Sequence, residues 1–226
     1  RVRKLLQGTA SLEFWATYPN EEIEGYLAEA NSMLAQILAV EETAPVAVEE
    51  QAEETDELLA EELKQAENET AAEAEMLKQN PLFSLLQPSG ARGYACIGYA
   101  HYADTAQINK IFAMPQIKQL FPPEFKPMWT VKASEMDANG NIFELVAIKA
   151  TSRDGKAPLD GGAVTDARVQ YGNNGNPEVS MSMNAEGANT WARMTKDNIG
   201  RQIAIVLDGM VYSYPTVQNE ISGGSS

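Results

Sequence analysis

Acidic side chains are the residues of this chain that could most readily do chemistry. Asp154, Asp160 and Asp166 lie in or beside glycine-rich loops, where two carboxyl groups could act as general acid and general base in a hydrolase. The chain holds 32 acidic residues among 226, so some carboxylates must lie close together by chance. The pattern gives no reason to predict an enzyme, and we assign no catalytic residue.

The sequence lacks the residues that a metal site, a catalytic triad or a phosphate-binding loop would need. His101 is the only histidine and Cys96 the only cysteine, too few for a histidine-based metal site or a Ser-His-Asp triad. The segment Asp137–Asn141 lacks the downstream glutamate of a calcium loop and indicates a turn. Neither Gly161-Gly162 nor Gly223-Gly224 is followed by a P-loop lysine. We predict no metal and no cofactor, and we interpret Cys96 as a buried structural thiol.

Methionine and aromatic side chains form the other notable group. Flexible, polarizable thioethers suit surfaces that accept varied apolar partners. An ordinary hydrophobic core is the competing interpretation, and the sequence leaves both open. If these residues line a groove for unfolded peptide, the binding side chains are Met181, Met183, Trp191, Met194, Met210, Tyr212 and Tyr214.

The charge of the chain is strongly negative and unevenly spread. The formal net charge is −15, which argues against a nucleic-acid partner because phosphate binding needs clustered lysine and arginine. Residues 41–80 hold 14 acidic residues and two lysines, a net charge of −12. We interpret residues 41–55 as a flexible acidic loop and 56–79 as a solvated helix. This insertion either keeps the domain soluble or binds a partner.

No run approaches the roughly 18 apolar residues of a membrane span. The chain begins at Arg1 rather than at a methionine and carries no signal-like apolar segment, so we interpret it as a piece of a longer protein.

Hydrophobic periodicity predicts an α+β fold, with antiparallel strands and packed helices. Residues 11–18 alternate as a strand, and an amphipathic helix of about 18 residues follows Pro19. Asp104 and Gln107 should form a capping box, and Asn184 should cap a helix that reaches about Asn198. Helical spacing places one apolar stripe along that second helix, formed by Ala188, Trp191, Met194, Thr195 and Ile199. The remaining predicted strands are 93–102, 128–134, 143–150, 164–171 and 178–183.

The segment from Asn198 to Pro215 has the clearest local pattern. Asn198 to Gly200 is a helix-stop signal, and two apolar runs then flank Asp208-Gly209. Asp-Gly supplies the positive φ angles of a two-residue type I′ turn. Apolar residues on both faces of 203–207 predict a central strand.

The same region carries a resemblance to a known family. Residues 177–222 resemble the end of the first periplasmic domain of SecD, a bacterial preprotein-translocase subunit, with further likenesses at 2–4, 8–14 and 161–167. Residues 20–155 match less well, and their acidic insertion resembles fused SecDF proteins. The matching positions include Pro177, Val179, Gly187, Ala188, Thr195, Asn198, Gly200, Ala204, Leu207, Asp208, Gly209, Val211, Tyr212, Pro215, Ile221, Gly223 and Gly224.

The resemblance implies a function and a location. SecD acts with SecF after the SecYEG channel at the periplasmic face of the inner membrane, and uses the proton-motive force to assist protein export. The chain would be the head of the periplasmic domain, which transiently binds unfolded preprotein, and would meet the membrane only through transmembrane helices outside it. An alternative is a structural spacer whose acidic helix docks onto another translocase component without binding preprotein.

The resemblance also implies a domain boundary. Residues 1–18 would be the end of the base subdomain, and residues 19–226 the head. Strand 12–18 would then lack its sheet partners, so we expect an unpaired apolar edge that packs irregularly or pairs with another copy.

Overall fold

The computed structural model describes residues 11–42, 78–152, 154–171 and 177–222. It is an α+β fold, as the sequence predicts. Most of the acidic insertion, with its predicted helix at 56–79, lies outside the described residues, as does the turn at 172–176.

The described part of the chain contains four named α-helices, ten strands and a short 3-10 helix at Gly161–Ala163. The helices are α1 (Asn20–Glu42), α2 (Thr105–Ala113), α3 (Pro115–Lys118) and α4 (Ala185–Asp197). The strands are β1 (Leu12–Thr17), β2 (Gln87–Pro88), β3 (Cys96–His101), β4 (Phe125–Ala133), β5 (Ile142–Lys149), β6 (Leu159–Asp160), β7 (Val164–Tyr171), β8 (Pro177–Met183), β9 (Ile203–Leu207) and β10 (Met210–Ser213).

Eight strands form one sheet in the order β2-β3-β5-β4-β10-β9-β1-β6. All of its pairings are antiparallel except that of β10 with β4. A further pairing of β1 with β5 joins two strands that are distant in this order. Strands β5, β4, β10, β9 and β1 therefore close into a ring.

The expected unpaired edge at the first strand is wrong. Leu12 to Ala16 of β1 pair with β9, and the end of β1 also pairs with β5. Phe14 faces one side of the sheet and Trp15 the other, and both are fully buried. Apolar residues on both faces are typical of a strand inside a sheet that is covered on both sides, which agrees with the central position of β1. The boundary between base and head at residue 18 stays a prediction, and the unpaired strand that it implied is not observed.

Apolar side chains pack into three clusters around the ring. One lies inside it and includes Trp15, Val146 and Val211. A second joins α1, α2 and α3 to strands β3 and β5. The third packs α4 and β8 against the outer face of β1 and β9, and its buried members are Phe14, Leu159, Met181, Trp191, Met194 and Ile203.

Strands β7 and β8 form a separate two-stranded ribbon. Its inner end packs against the third cluster through Val164 and Met183, and α4 follows β8 in the chain. The register pairs Ala167 with Met181 and Val169 with Val179.

Most of the caps and turns predicted from local residue patterns are confirmed. Asn184 caps α4, because its Oδ1 accepts the backbone N–H of Gly187 at 2.8 Å. Asp208 and Gly209 have φ angles of 49° and 81°, as a type I′ turn requires. The predicted capping box at Asp104 is wrong: α2 begins at Thr105, but Asp104 is itself in a helical conformation and its side chain makes no cap hydrogen bond.

Asp137 in a loop and Cys96 in β3 both behave as predicted. The Asp137 carboxylate accepts the backbone N–H groups of Asn139, Asn141 and Ile142, which makes this loop a turn. These bonds lower the pKa of Asp137. Cys96 is buried, and burial raises the pKa of its thiol to about 11.

Candidate functional site: an apolar groove beside the last helix

An apolar groove of about 320 Å³ lies between α4, β9 and the segment after β10. We call it the α4 groove. Met181, Trp191, Ile203 and Ile205 form its apolar floor, and residues 215–219 and Ile221 form the opposite wall. It is open at the surface, yet its floor is part of the third core cluster.

Helix α4 places Trp191 and Met194 because it is strongly amphipathic. Its buried positions are Gly187, Trp191, Met194 and Thr195, which lie on one stripe at helical spacing. The predicted stripe extends to Ile199, but that residue is about half exposed because the helix has already ended. Trp191 also contacts the ring of Phe14, with centroids 5.2 Å apart.

Glycine at position 187 lets this helix approach the turn before β7. A Cβ atom there would lie 2.6 Å from the Cβ of Ala163, closer than two carbon atoms can pack. The absence of a side chain therefore sets the distance between α4 and residues 161–163. Gly187 is one of the positions that carry the family resemblance.

The wall of the groove is a segment without regular structure that hydrogen bonds hold in place. The backbone carbonyl of Val217 accepts the N–H of Gly200, and the backbone N–H of Val217 donates to the carbonyl of Arg201, both at 2.9 Å. The N–H of Ile221 donates to Oγ1 of Thr195 at 3.0 Å. The buried Thr195 hydroxyl donates in turn to the Trp191 carbonyl at 2.8 Å. The wall thus depends on a few hydrogen bonds to α4 and the loop behind it.

The structure divides the seven predicted binding residues into two groups. Met181, Met183, Trp191 and Met194 lie together in the third cluster, and two of them line the α4 groove. The structure does not bring the remaining three, which lie in β10 and just after it, together with these four. Of this second group, Met210 is 37% and Tyr212 49% exposed, and Tyr214 packs against the cluster inside the ring.

Tyr212 and Tyr214 border a different and more polar cavity of about 660 Å³. The Tyr214 hydroxyl donates to the Glu144 carboxylate, which also accepts from the Ser134 hydroxyl at 2.8 Å. Burial and then this hydrogen bond raise the pKa of Tyr214 far above its ordinary value. Lys132 lies 5.2 Å from the ring centre of Tyr212. The polar lining makes this cavity a poorer match for apolar peptide than the α4 groove.

The other family-motif residues shape the backbone around the groove. The Asn198 side chain donates to the Met194 carbonyl at 2.8 Å and ends α4, and Gly200 follows with a φ angle of +77°. Leu207 precedes the turn at Asp208 and Gly209, and Pro215 begins the groove wall. Asp208 also accepts the N–H of Ser11 at 2.8 Å, which ties the turn to the start of β1.

The sequence did not predict the groove wall or the exposed apolar residues of the ribbon. Val217 and Ile221 are half-buried apolar residues in a stretch without periodicity. No repeating pattern in the sequence therefore indicates that they line a groove. On the ribbon, Val169 and Tyr171 share an exposed face that strand periodicity alone would assign to the core.

Two general features of the described residues bear on function. In residues 11–42, 78–152, 154–171 and 177–222, no three His, Cys, Asp or Glu side chains are close enough together to hold a metal ion. None of the helices described there is long and apolar enough to cross a membrane.

Comparison with known proteins agrees with the resemblance in the sequence. Residues 146–226 match the family of the SecDF P1 head subdomain. The SecD subunit of Rhodothermus marinus is 34% identical over 234 aligned residues, which cover all of this chain and 34% of that protein. The SecD subunit of Leptotrichia buccalis is 46% identical over 71 residues, or 31% of this chain and 18% of that protein.

A crystal structure of SecDF from Thermus thermophilus, a translocon-associated membrane protein, is also similar. It covers 96% of this chain and 26% of that protein at 17% identity, with a TM-score of 0.30 that carries no weight in the assignment. The chain spans about a third of the length of the Rhodothermus marinus subunit.

These sequence matches identify the class of protein, which is the head subdomain of a protein-translocase subunit. Residues 146–226 carry the P1 head of the SecD and SecDF family, and the chain belongs with the SecD subunits of protein translocation.

Proposed function

We propose that this chain transiently holds unfolded preprotein in the α4 groove, at the periplasmic face of the bacterial inner membrane. In the intact machine it would act with SecF and SecYEG, and its movement would assist export driven by the proton-motive force. The family assignment supports the role in translocation. Its role would be to hold and release a polypeptide, without catalysis.

The observation that carries this proposal is a groove that is open at the surface and has an apolar floor, of which Ile205 is partly exposed and the other three residues are buried. Met181, Trp191, Ile203 and Ile205 present aliphatic, thioether and aromatic surface without a charged group among them. Apolar clefts with few polar groups are the usual sites of small-ligand and side-chain binding. Because the Met181 thioether is flexible, the floor can adapt to different side chains.

The size of the groove predicts weak and sequence-tolerant binding. A volume of about 320 Å³ accepts a few apolar side chains but no long segment of chain. Contact through nonspecific apolar surface discriminates little between sequences. A translocase that must bind and release many preproteins needs this combination, with release driven by domain motion.

The test uses the three tryptophan indole N–H groups as reporters. Those of Trp15 and Trp129 donate to Glu13 and Asn109, both at 2.9 Å. The Trp191 indole N–H is buried and has no hydrogen-bond partner among the described residues. Titration of the ¹⁵N-labelled chain with an unfolded, apolar-rich peptide should shift the Trp191 indole resonance and leave the other two in place.

A matched pair of variants locates the contact. Ile205→Ser changes the groove floor, whereas Val131→Ser removes an exposed aliphatic side chain from β4, outside the groove. Peptide affinity, measured by fluorescence anisotropy, should fall several-fold for Ile205→Ser and stay constant for Val131→Ser. No shift at millimolar peptide would overturn the proposal and make the spacer role the better account. Shifts confined to Met210 and Tyr212 would instead move the site to β10.

A further inference from the structure

The ribbon of β7 and β8 has one apolar and one polar face. Residues of alternating sequence position lie on the same face of a strand. Cross-strand register therefore places two kinds of pair on opposite faces. The apolar pairs are Ala167 with Met181 and Val169 with Val179, and the polar pairs are Arg168 with Ser180 and Gln170 with Glu178. We call Ala167, Val169, Tyr171, Val179 and Met181 the ribbon apolar face.

Exposure along this face rises with distance from the α4 groove. Met181 is 8% exposed and forms part of the groove floor. Val179, two residues along the same strand, is 61% exposed, and its partner Val169 is 66% exposed. Tyr171 is 76% exposed. An apolar track thus leaves the groove and runs outward along the ribbon.

The ribbon also has free backbone edges. Among the described residues, β7 and β8 pair with each other and with no other strand. Each therefore has an outer edge where alternate N–H and C=O groups lack a strand partner. Such an edge is a template for another strand, and a two-stranded sheet is only marginally stable alone. A third strand would satisfy the edge and cover more of the apolar face.

We propose that a stretch of unfolded polypeptide adds to an outer edge of this ribbon as a third strand, with its alternate apolar side chains on the ribbon apolar face. This inference rests on the proposed function and specifies how the polypeptide is held. Backbone hydrogen bonds supply affinity that does not depend on the side chains, and the apolar face favours alternating apolar residues. The α4 groove then receives a side chain at the inner end of the track.

Charge restricts the occupant. The chain carries a formal net charge of −15, of which −12 lies in residues 41–80, and the ribbon strands themselves carry −1 from Asp166, Arg168 and Glu178. This negative charge disfavours acidic segments and tolerates neutral or basic ones. The same net charge disfavours close association of two copies of this chain. The favoured occupant is therefore an extended, neutral or basic segment that is apolar at alternate positions and contains no proline in the added strand.

The experiment separates backbone recognition from side-chain contact. The probe is an unstructured peptide that alternates valine with threonine or lysine, and two analogues carry N-methyl groups on one or the other set of alternate residues. N-methylation removes N–H donors while the side chains remain. We expect the parent peptide to bind and to give cross-strand nuclear Overhauser effects to amides of β7 or β8. One analogue should bind about tenfold more weakly or worse, because several strand hydrogen bonds are lost together.

Each other outcome has a definite meaning. Equal binding of the parent and both analogues would overturn strand addition but leave the proposed function standing. Failure of every peptide to bind would overturn both. Ribbon resonances that shift on concentrating the chain alone would identify a second copy as the occupant and would also overturn the inference.

A pair of ribbon variants tests the apolar face without disturbing the core. Val169→Thr replaces an exposed methyl group on the apolar face with a hydroxyl, and Gln170→Thr is the matched change on the polar face. Peptide affinity should fall several-fold for the first variant and remain unchanged for the second. Equal affinity for both variants would overturn the assigned face.

Discussion

Replacement of Gly187 by alanine should destabilise the chain, although alanine is the better helix former. The new Cβ atom would lie 2.6 Å from the Cβ of Ala163 and 3.2 Å from Oδ1 of Asn184, the residue that caps the helix. Ala163 has no side-chain torsion that could relieve the contact, so α4 must shift. Overpacking of this kind costs roughly 1–3 kcal/mol.

Helix propensity offsets part of this cost. Alanine in place of glycine in a helix gains at most about 1 kcal/mol. The net loss in the free energy of unfolding should be up to about 2 kcal/mol. For a chain of this length, each kcal/mol changes the melting temperature by about 2–4 °C.

Gly25 supplies the matched control. It lies in the interior of α1, and a Cβ atom there would meet no atom within 4 Å. Gly25→Ala should therefore stabilise the chain by about 0.5–1 kcal/mol. The same substitution should have opposite signs at the two positions, as measured by urea and thermal unfolding followed by tryptophan fluorescence.

A double variant identifies the contact that is responsible. Ala163→Gly removes the atom that the new Cβ meets, so Gly187→Ala in that background should regain most of the lost stability. The coupling between the two changes should be about 1 kcal/mol or more. The reasoning would be refuted if Gly187→Ala were as stable as Gly25→Ala, or if Ala163→Gly gave no rescue.

Stability should also respond to pH, to one buried hydroxyl and to one turn glycine. Burial raises the pKa of Cys96 from 9.0 to about 11, so its contribution is complete below pH 9 and is lost as the pH rises to 11. The stability difference between wild type and Cys96→Ala in urea unfolding should narrow over that range, and a constant difference would contradict the assignment. Thr195→Val removes the acceptor of the Ile221 N–H, which should cost about 1 kcal/mol and speed hydrogen exchange at that amide; unchanged exchange would count against the groove wall. Gly209→Ala should cost about 1 kcal/mol or more because its φ angle is +81°, and Gly209→Asn should cost less, as thermal unfolding would show.

Local residue patterns were enough to predict most of the helices and strands. Helix α4 begins and ends where Asn184 and Gly200 predict, since a cap and a positive φ angle depend on neighbouring residues alone. The turn at Asp208 and Gly209 follows from the same kind of short-range preference. Asp104 shows the limit of such reasoning, because the side chain that a local pattern assigns to a cap makes no such bond.

The candidate site was only half predictable. Periodicity correctly placed Trp191 and Met194 on the buried stripe of α4. It could not tell that Tyr214 would face a different cluster, because which face of one strand meets which face of another depends on long-range pairing. The groove wall at 215–221 has no periodicity at all and takes its position from hydrogen bonds to residues distant in the fold.

The sequence by itself determined the secondary structure, the α+β class and the likeness to the SecD head, because these depend on short-range spacing and residue order. Tertiary structure alone decided that β1 would pair with β9 and β5 and that five strands would close into a ring. It also decided that an apolar groove would remain open beside α4 while part of the ribbon stayed exposed. The physical reason is that a local pattern fixes which side chains must leave water, whereas the choice of their partners is made by the packing of the whole chain.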